Sequence, residues 1–220
     1  CYCDHCRDRF AKEIGGTLPK IVDWNNKQWT SFQRSREKWL TEFAQLCTDT
    51  VKRIKPAVSV EHQSSSYTFS WKYGVTSSLS NANDFLQGDF YGDLLQGSFI
   101  CKLFSNLSPH MPFGFETSSN IHLYDHTTRK PKDLLEVNAF TAAAHNGAFI
   151  FIDAVDPRGT VQEDVYSLVG DLYQELAPYD KYSLPAALEH DVAVYFSTES
   201  KFTPETFGEE PLTAVEDMPH

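Results

Sequence analysis

The chain has 220 residues, 41% of them apolar and 14% aromatic, which suffices for a sizeable core and excludes global disorder. A formal charge of −11 with no Lys/Arg cluster argues against a nucleic-acid partner, because there is no basic excess to release counterions. No apolar run reaches the roughly 18–20 residues that span a bilayer, so no membrane partner is expected.

The chain begins Cys1-Tyr2-Cys3-Asp4-His5-Cys6. A C-x-C-x2-C cluster can put three thiolates around one structural zinc ion, which takes four tetrahedral ligands. His5, Cys47 or a residue upstream would be the fourth. No organic cofactor is expected. Five cysteines in all, three of them in one cluster, do not resemble a disulfide framework, so a reducing, cytoplasmic compartment is expected. Because residue 1 is not Met, the sequence reads as a piece of a longer protein.

A short helix is predicted from Arg7 to Ile14, ended by Gly15-Gly16. Residues 28–55 carry Trp29, Phe32, Arg36, Trp39, Phe43, Leu46, Cys47, Val51 and Ile54 at helical spacing, and Pro56 stops them. Ala57 to Val60 then reads as a strand leading into Glu61-His62-Gln63. The Ser-rich stretch that follows interleaves Tyr67, Phe69, Trp71 and Tyr73, which either stack on a sugar or pack onto neighbouring loops. A strand is predicted at 84–89, with Gly88, Gly92 and Gly97 marking turns. Phe113-Gly114-Phe115-Glu116 and Ala148-Phe149-Ile150-Phe151-Ile152-Asp153 are apolar strands ending on carboxylates. Helices are predicted over 131–146, with Pro131 in the first turn, and over Val161 to Leu176. A last strand is predicted over 191–197.

Helices alternating with strands imply an α/β fold with a parallel sheet. No Gly-rich phosphate loop follows an early strand, which argues against a dinucleotide-binding fold. No G-x-S-x-G elbow occurs, which argues against an α/β-hydrolase triad. His122 and His126 with Asp125 read as a polar loop. The candidate chemistry lies at strand ends: Glu61, His62, Asp89, Asp93, Glu116 and Asp153. A β/α barrel presents catalytic groups there, and partial burial tunes carboxyl groups for acid, base or nucleophile roles.

Taken together, these residues resemble barrel glycoside hydrolases of clan A, and in particular family 42 β-galactosidases and the related family 151 α-L-fucosidases. The resemblance rests on Cys1-Tyr2-Cys3-Asp4-His5-Cys6 with Phe10, on Glu116 at a strand end, on Arg129-Lys130-Pro131, and on Ala143 to Ala148 before the next strand. It implies the C-terminal half of a (β/α)8 TIM barrel, strands five to eight, over 1–182. A truncated second domain over 188–220, similar to a trimerisation domain, would follow. It implies a retaining exo-glycosidase acting on a glycoside or oligosaccharide, with Glu116 as nucleophile. His62, Asp89 and Asp153 would hold sugar hydroxyls, with Trp71 or Tyr91 stacking on the ring. Cys1, Cys3 and Cys6 would bind zinc with one upstream cysteine, and the protein would be a homo-trimer. The family's acid/base Glu would lie upstream of Cys1, leaving this stretch inactive alone. Family 42 has a Trp shortly after strand eight, where this chain has Asp153-Ala154-Val155. Together with His62-Gln63, that points to the fucosidase-like relative, with a β-galactosidase or an inactive sugar-binding barrel as alternatives.

Overall fold

The structure is a computed structural model that describes residues 2–68, 71–122, 128–155, 158–183 and 186–198. The chain forms two compact units. One is built from described residues of Cys1–Val58, Ser66–Ala82 and Tyr195–His220, the other from Ser59–Ser65 and Asn83–Val194.

The first unit is organised by two helices, α1 (Asp4–Glu13) and α2 (Lys27–Ile54). Asn26 caps α2 by accepting from the backbone N–H groups of Gln28 and Trp29, which satisfies two of the four orphan donors of the first turn. The core holds Phe10, Leu18, Val22, Trp29, Phe32, Trp39 and Trp71. Its aromatic rings meet edge to face, as their quadrupoles favour: Trp29 lies 5.7 Å from Trp71 and 5.9 Å from Phe32. Two polar side chains beside these rings are matched, Gln33 Nε2 donating to the Trp71 carbonyl at 2.9 Å and Arg36 Nη2 to that of Lys72 at 2.6 Å. The apolar stripe predicted for α2 is buried only in its first half. Phe43, Leu46 and Ile54 are exposed.

The second unit alternates β1 (Gln87–Asp89), α3 (Leu94–Leu107), β2 (Gly114–Ser118), α4 (Lys132–Ala144), β3 (Ala148–Ile152) and α5 (Glu163–Leu176), followed by the single turn α6 (Asp180–Ser183). The strands form one parallel sheet in chain order β1-β2-β3, with Asp89 opposite Glu116 and Glu116 opposite Ile150. This is the expected α/β architecture with a parallel sheet. Phe104 of α3 packs against Phe90 and Phe113, while Leu135 and Ala139 of α4 and Val165 and Leu172 of α5 are buried.

Three expectations are corrected. The connection 90–112, expected to hold turns after the strand at 84–89, contains α3. Asp93, expected at a strand end, is the N-cap of that helix and accepts from the Gln96 N–H at 2.9 Å. Gly97, expected in a turn, is a buried helical position facing the Phe115 ring.

The strand expected at 57–60 is not formed. Residues 60–64 instead run alongside β1 in the same direction, with two backbone bonds, Asp84 N to Val60 O at 2.9 Å and Ser64 N to Gln87 O at 2.8 Å. The side chains of Asp84 and Asn83 take the N–H groups of Val60 and His62, so no continuous ladder forms. Gly88 permits the approach, since a Cβ there would lie 2.7 Å from the Ser65 nitrogen.

Residues 192–197, expected as a strand, form none; Val192, Val194 and Tyr195 are 80%, 83% and 91% exposed, and no strand lies beside them among the described residues. No helix among the described residues is long and apolar enough to cross a membrane.

Candidate active site

Strand β2 is central in the sheet and buried along its whole length, so its side chains are desolvated on both faces. Phe115 points toward the helices, its ring 5.2 Å from that of Phe90. By the two-residue alternation of a strand, Glu116 lies on the opposite face with Gly114 and Ser118. A side chain at Gly114 would collide with Gln87 and Ile150, which places those two on the Glu116 face as well.

The Glu116 carboxylate is held by two amides. Gln63 Nε2 donates to Oε2 at 3.3 Å, and Gln87 Nε2 donates to Oε1. Amide donors fix the orientation of a carboxylate without neutralising it, whereas a Lys or Arg would do both. Glu116 itself is 8% exposed.

A second carboxyl lies nearby. Glu61 is half-buried, and its Oε1 is shielded from solvent with no hydrogen-bond partner among the described residues. Burial, and then the negative charge of Glu116, push its pKa up to about 7.

Beside them, Tyr91 is pushed up to about 12, first by burial and then by the charge of Asp89. Lys130 is buried without a carboxylate partner among the described residues. Its ammonium donates to Thr117 Oγ1 at 2.5 Å and to the Ser118 carbonyl at 3.0 Å, and lies 5.0 Å from the centre of the Tyr91 ring. Burial brings its pKa down to about 8. Asp153, just past β3, accepts from Ser119 Oγ at 2.7 Å through Oδ1, while Oδ2 is buried with no partner among the described residues.

The structure places Asp89 at the end of β1, Asp153 just past β3 and Tyr91 two residues beyond β1, whereas Glu116, expected to end its strand, is the middle residue of β2, which runs on to Ser118. His62 sits on the 60–64 segment, where its backbone N–H is tied to Asn83. Trp71 belongs to the aromatic core of the other unit, edge-on to Trp24 at 5.1 Å and to Trp29. Sequence reasoning missed Gln87 and the burial of Lys130, and it used Gln63 only as part of the His62-Gln63 strand end, not as a partner of Glu116. The positions of the two glutamines, at or beside strand ends that were already suspect, were the available signal.

Of the proposed zinc ligands, Cys1 lies outside the described residues, as do Asp125 and His126 of the polar loop. Cys3 caps α1, and its sulfur lies 3.4 Å from that of Cys6. Among the described residues no group of three or more His, Cys, Asp or Glu is placed to hold a metal.

No known protein family, curated protein or solved structure matches this chain.

Proposed function

We propose that the chain is part of a retaining glycosidase in which Glu116 is the nucleophile. The observation that carries the reading is the buried Glu116 carboxylate in the middle of the central parallel strand β2, oriented by Gln63 and Gln87. Glycosidic cleavage with retention needs a carboxylate that attacks the anomeric carbon and a carboxylic acid that protonates the leaving oxygen. An oriented carboxylate with no counter-cation on it meets the first requirement. Asp89 and Asp153 supply acceptors for sugar hydroxyls at the neighbouring strand ends.

The (β/α)8 half-barrel belongs to the same proposal. Strands in chain order, all parallel and joined by helices, support it, as does the 60–64 segment running beside β1. The far edge of β3 is free of strands among the described residues and borders a groove lined by Ile150, Ile152, Asp153, Tyr166, Val169 and Tyr173. The substrate in this reading is an α-L-fucoside, with a β-galactoside as the alternative. Structural zinc on Cys1, Cys3 and Cys6, a trimeric assembly and a cytoplasmic setting rest on the sequence resemblance and composition.

The test is turnover of aryl α-L-fucoside and aryl β-galactoside by the full-length protein and by its Glu116→Gln variant. The variant is expected to lose roughly three orders of magnitude or more on whichever glycoside is cleaved, as for removal of other nucleophiles. Near-normal turnover would refute the assignment, and inactivity on both glycosides would favour a sugar-binding barrel.

A further inference from the structure

We propose that Lys130 is a positioning residue of this site, whose buried ammonium holds the Tyr91 ring in place for stacking on a bound sugar. This inference rests on the glycosidase reading above and adds to it a residue that acts through another side chain.

The backbone brings Lys130 to the sheet. Past β2 the chain doubles back. Asn120 and Arg129 form an antiparallel bridge, Ile121 N donates to Thr128 O at 3.1 Å, and Lys130 N donates to Ser119 O at 2.7 Å. Pro131 then leads into α4. Lys130 is thus set beside the end of β2, where it is 6% exposed.

Three segments meet at its ammonium. It donates to Thr117 Oγ1 and to the Ser118 carbonyl, both on β2, and sits over the Tyr91 ring, two residues past β1. Thr117 Oγ1 in turn donates to the Phe90 carbonyl at 2.9 Å, and Phe90 N donates to the Glu116 carbonyl at 2.9 Å. Phe90 is therefore tied to β2 through both of its backbone groups, which delivers Tyr91 to the end of the sheet. The Tyr91 hydroxyl is buried with no hydrogen-bond partner among the described residues. The cation over its face, and not a bond at its tip, is the polar contact that locates the ring.

Burying a charge is costly without a counter-charge, and an apolar side chain of similar length would fill the space at lower cost. A lysine supplies what an apolar chain lacks: donors for two acceptors, and a cation for a ring face, an attraction that strengthens once water is excluded. Glu116, by contrast, is oriented by Gln63 and Gln87. Loss of the Lys130 charge should therefore loosen the stacking ring and leave the nucleophile in place. That is a loss of binding shared by ground state and transition state, seen in KM and not in kcat.

The charge also depends on pH. Burial brings Lys130 down to about 8. Of the groups around it, Thr117 and Ser118 do not titrate in this range, Tyr91 is raised to about 12 and stays neutral, and Arg129 on its own arm is paired with Asp164. The charges of Asp89 and Glu116 reach Tyr91 from the neighbouring strands. KM should rise as pH passes upward through about 8 and the ammonium becomes an amine.

The test uses the full-length protein and an aryl glycoside of the sugar it cleaves. Lys130→Met, which removes the charge and nearly keeps the length, is expected to raise KM about 10-fold at pH 7 and to change kcat less than about 3-fold. Its KM should no longer rise between pH 7 and 9. Tyr91→Leu should raise KM to a similar degree, and the double variant should be no worse than either, because both changes remove one interaction. If folded Lys130→Met keeps the wild-type KM, or if its effect adds in full to that of Tyr91→Leu, Lys130 does not act through the ring. The proposal is then overturned while the glycosidase reading stands. Should Lys130→Met fail to fold, the rise of KM with pH in the wild type must vanish in Tyr91→Leu; a rise that persists there, or no rise at all, overturns the proposal. If the wild type cleaves no glycoside, the reading itself fails and this inference with it.

Discussion

The aromatic core around Trp29 and the polar cluster around Glu116 both hold buried side chains, but they leave different groups unmatched. Among the rings, the orphan polar atom is the neutral indole nitrogen of Trp29. At the strand ends, the orphans include carboxyl oxygens of Glu61 and Asp153 as well as the Tyr91 hydroxyl, beside a buried lysine with no acidic partner among the described residues. An unsatisfied neutral donor costs about 1–3 kcal/mol, and charged groups cost more. The first region is organised for burial of apolar area, whereas the second tolerates electrostatic stress. That difference marks the second as the place to look for chemistry.

The largest effect is expected in the first region. Trp29 is fully buried and meets Trp24, Phe32 and Trp71 edge to face. Trp29→Ala is expected to cost about 3–5 kcal/mol, read as a lower midpoint in denaturant unfolding. A loss below about 1 kcal/mol would mean that the ring cluster is not what stabilises α2.

The second region should respond to pH instead. The Glu61 carboxyl is raised from near 4.5 to about 7, so the folded state binds more protons than the unfolded state between those values. The stabilising contribution is fully present below about 4.5 and is lost as pH rises through 7. A fully buried carboxyl shifted this far would change stability by about 3 kcal/mol. Glu61 is only half-buried, and solvent screening brings the expected loss to about 1–2 kcal/mol. Glu61→Gln should flatten that part of the stability curve between pH 5 and 8. A curve as steep as the wild type would place the titrating group elsewhere.

These two regions were unequally legible in the sequence. The helical period exposed α2, α4 and α5, and the short apolar runs exposed β2 and β3 with Glu116 and Asp153 at or near their ends. Helix α3 was hidden because Gly92 and Gly97 read as turn residues. The Asp93-x-x-Gln96 spacing, a capping signal, was the cue against that reading. The Gln87 amide that orients Glu116 carries no charge and so drew no attention among so many acids. Lys130 looks like any surface lysine in an Arg-Lys-Pro turn, and its burial depends on contacts with Tyr91, Thr117 and Ser118 that lie earlier in the chain. The same is true of Trp71, whose place in an aromatic core depends on contacts with Trp24 and Trp29 that lie far away in the chain.

The smallest effect sharpens the comparison by separating helix formation from ring packing. Asn26 Oδ1 accepts from Gln28 N at 2.8 Å and Trp29 N at 3.3 Å, one turn before the ring cluster begins. Asn26→Ala should cost about 1 kcal/mol, and Asn26→Asp should restore most of it, because a negative cap also suits the positive end of the helix. Thermal unfolding of the two variants checks this. If the alanine variant lost as much as Trp29→Ala, the first turn of α2 and the aromatic core would form as one cooperative element. A loss near 1 kcal/mol would mean instead that the rings hold α2 in place even when its first turn frays.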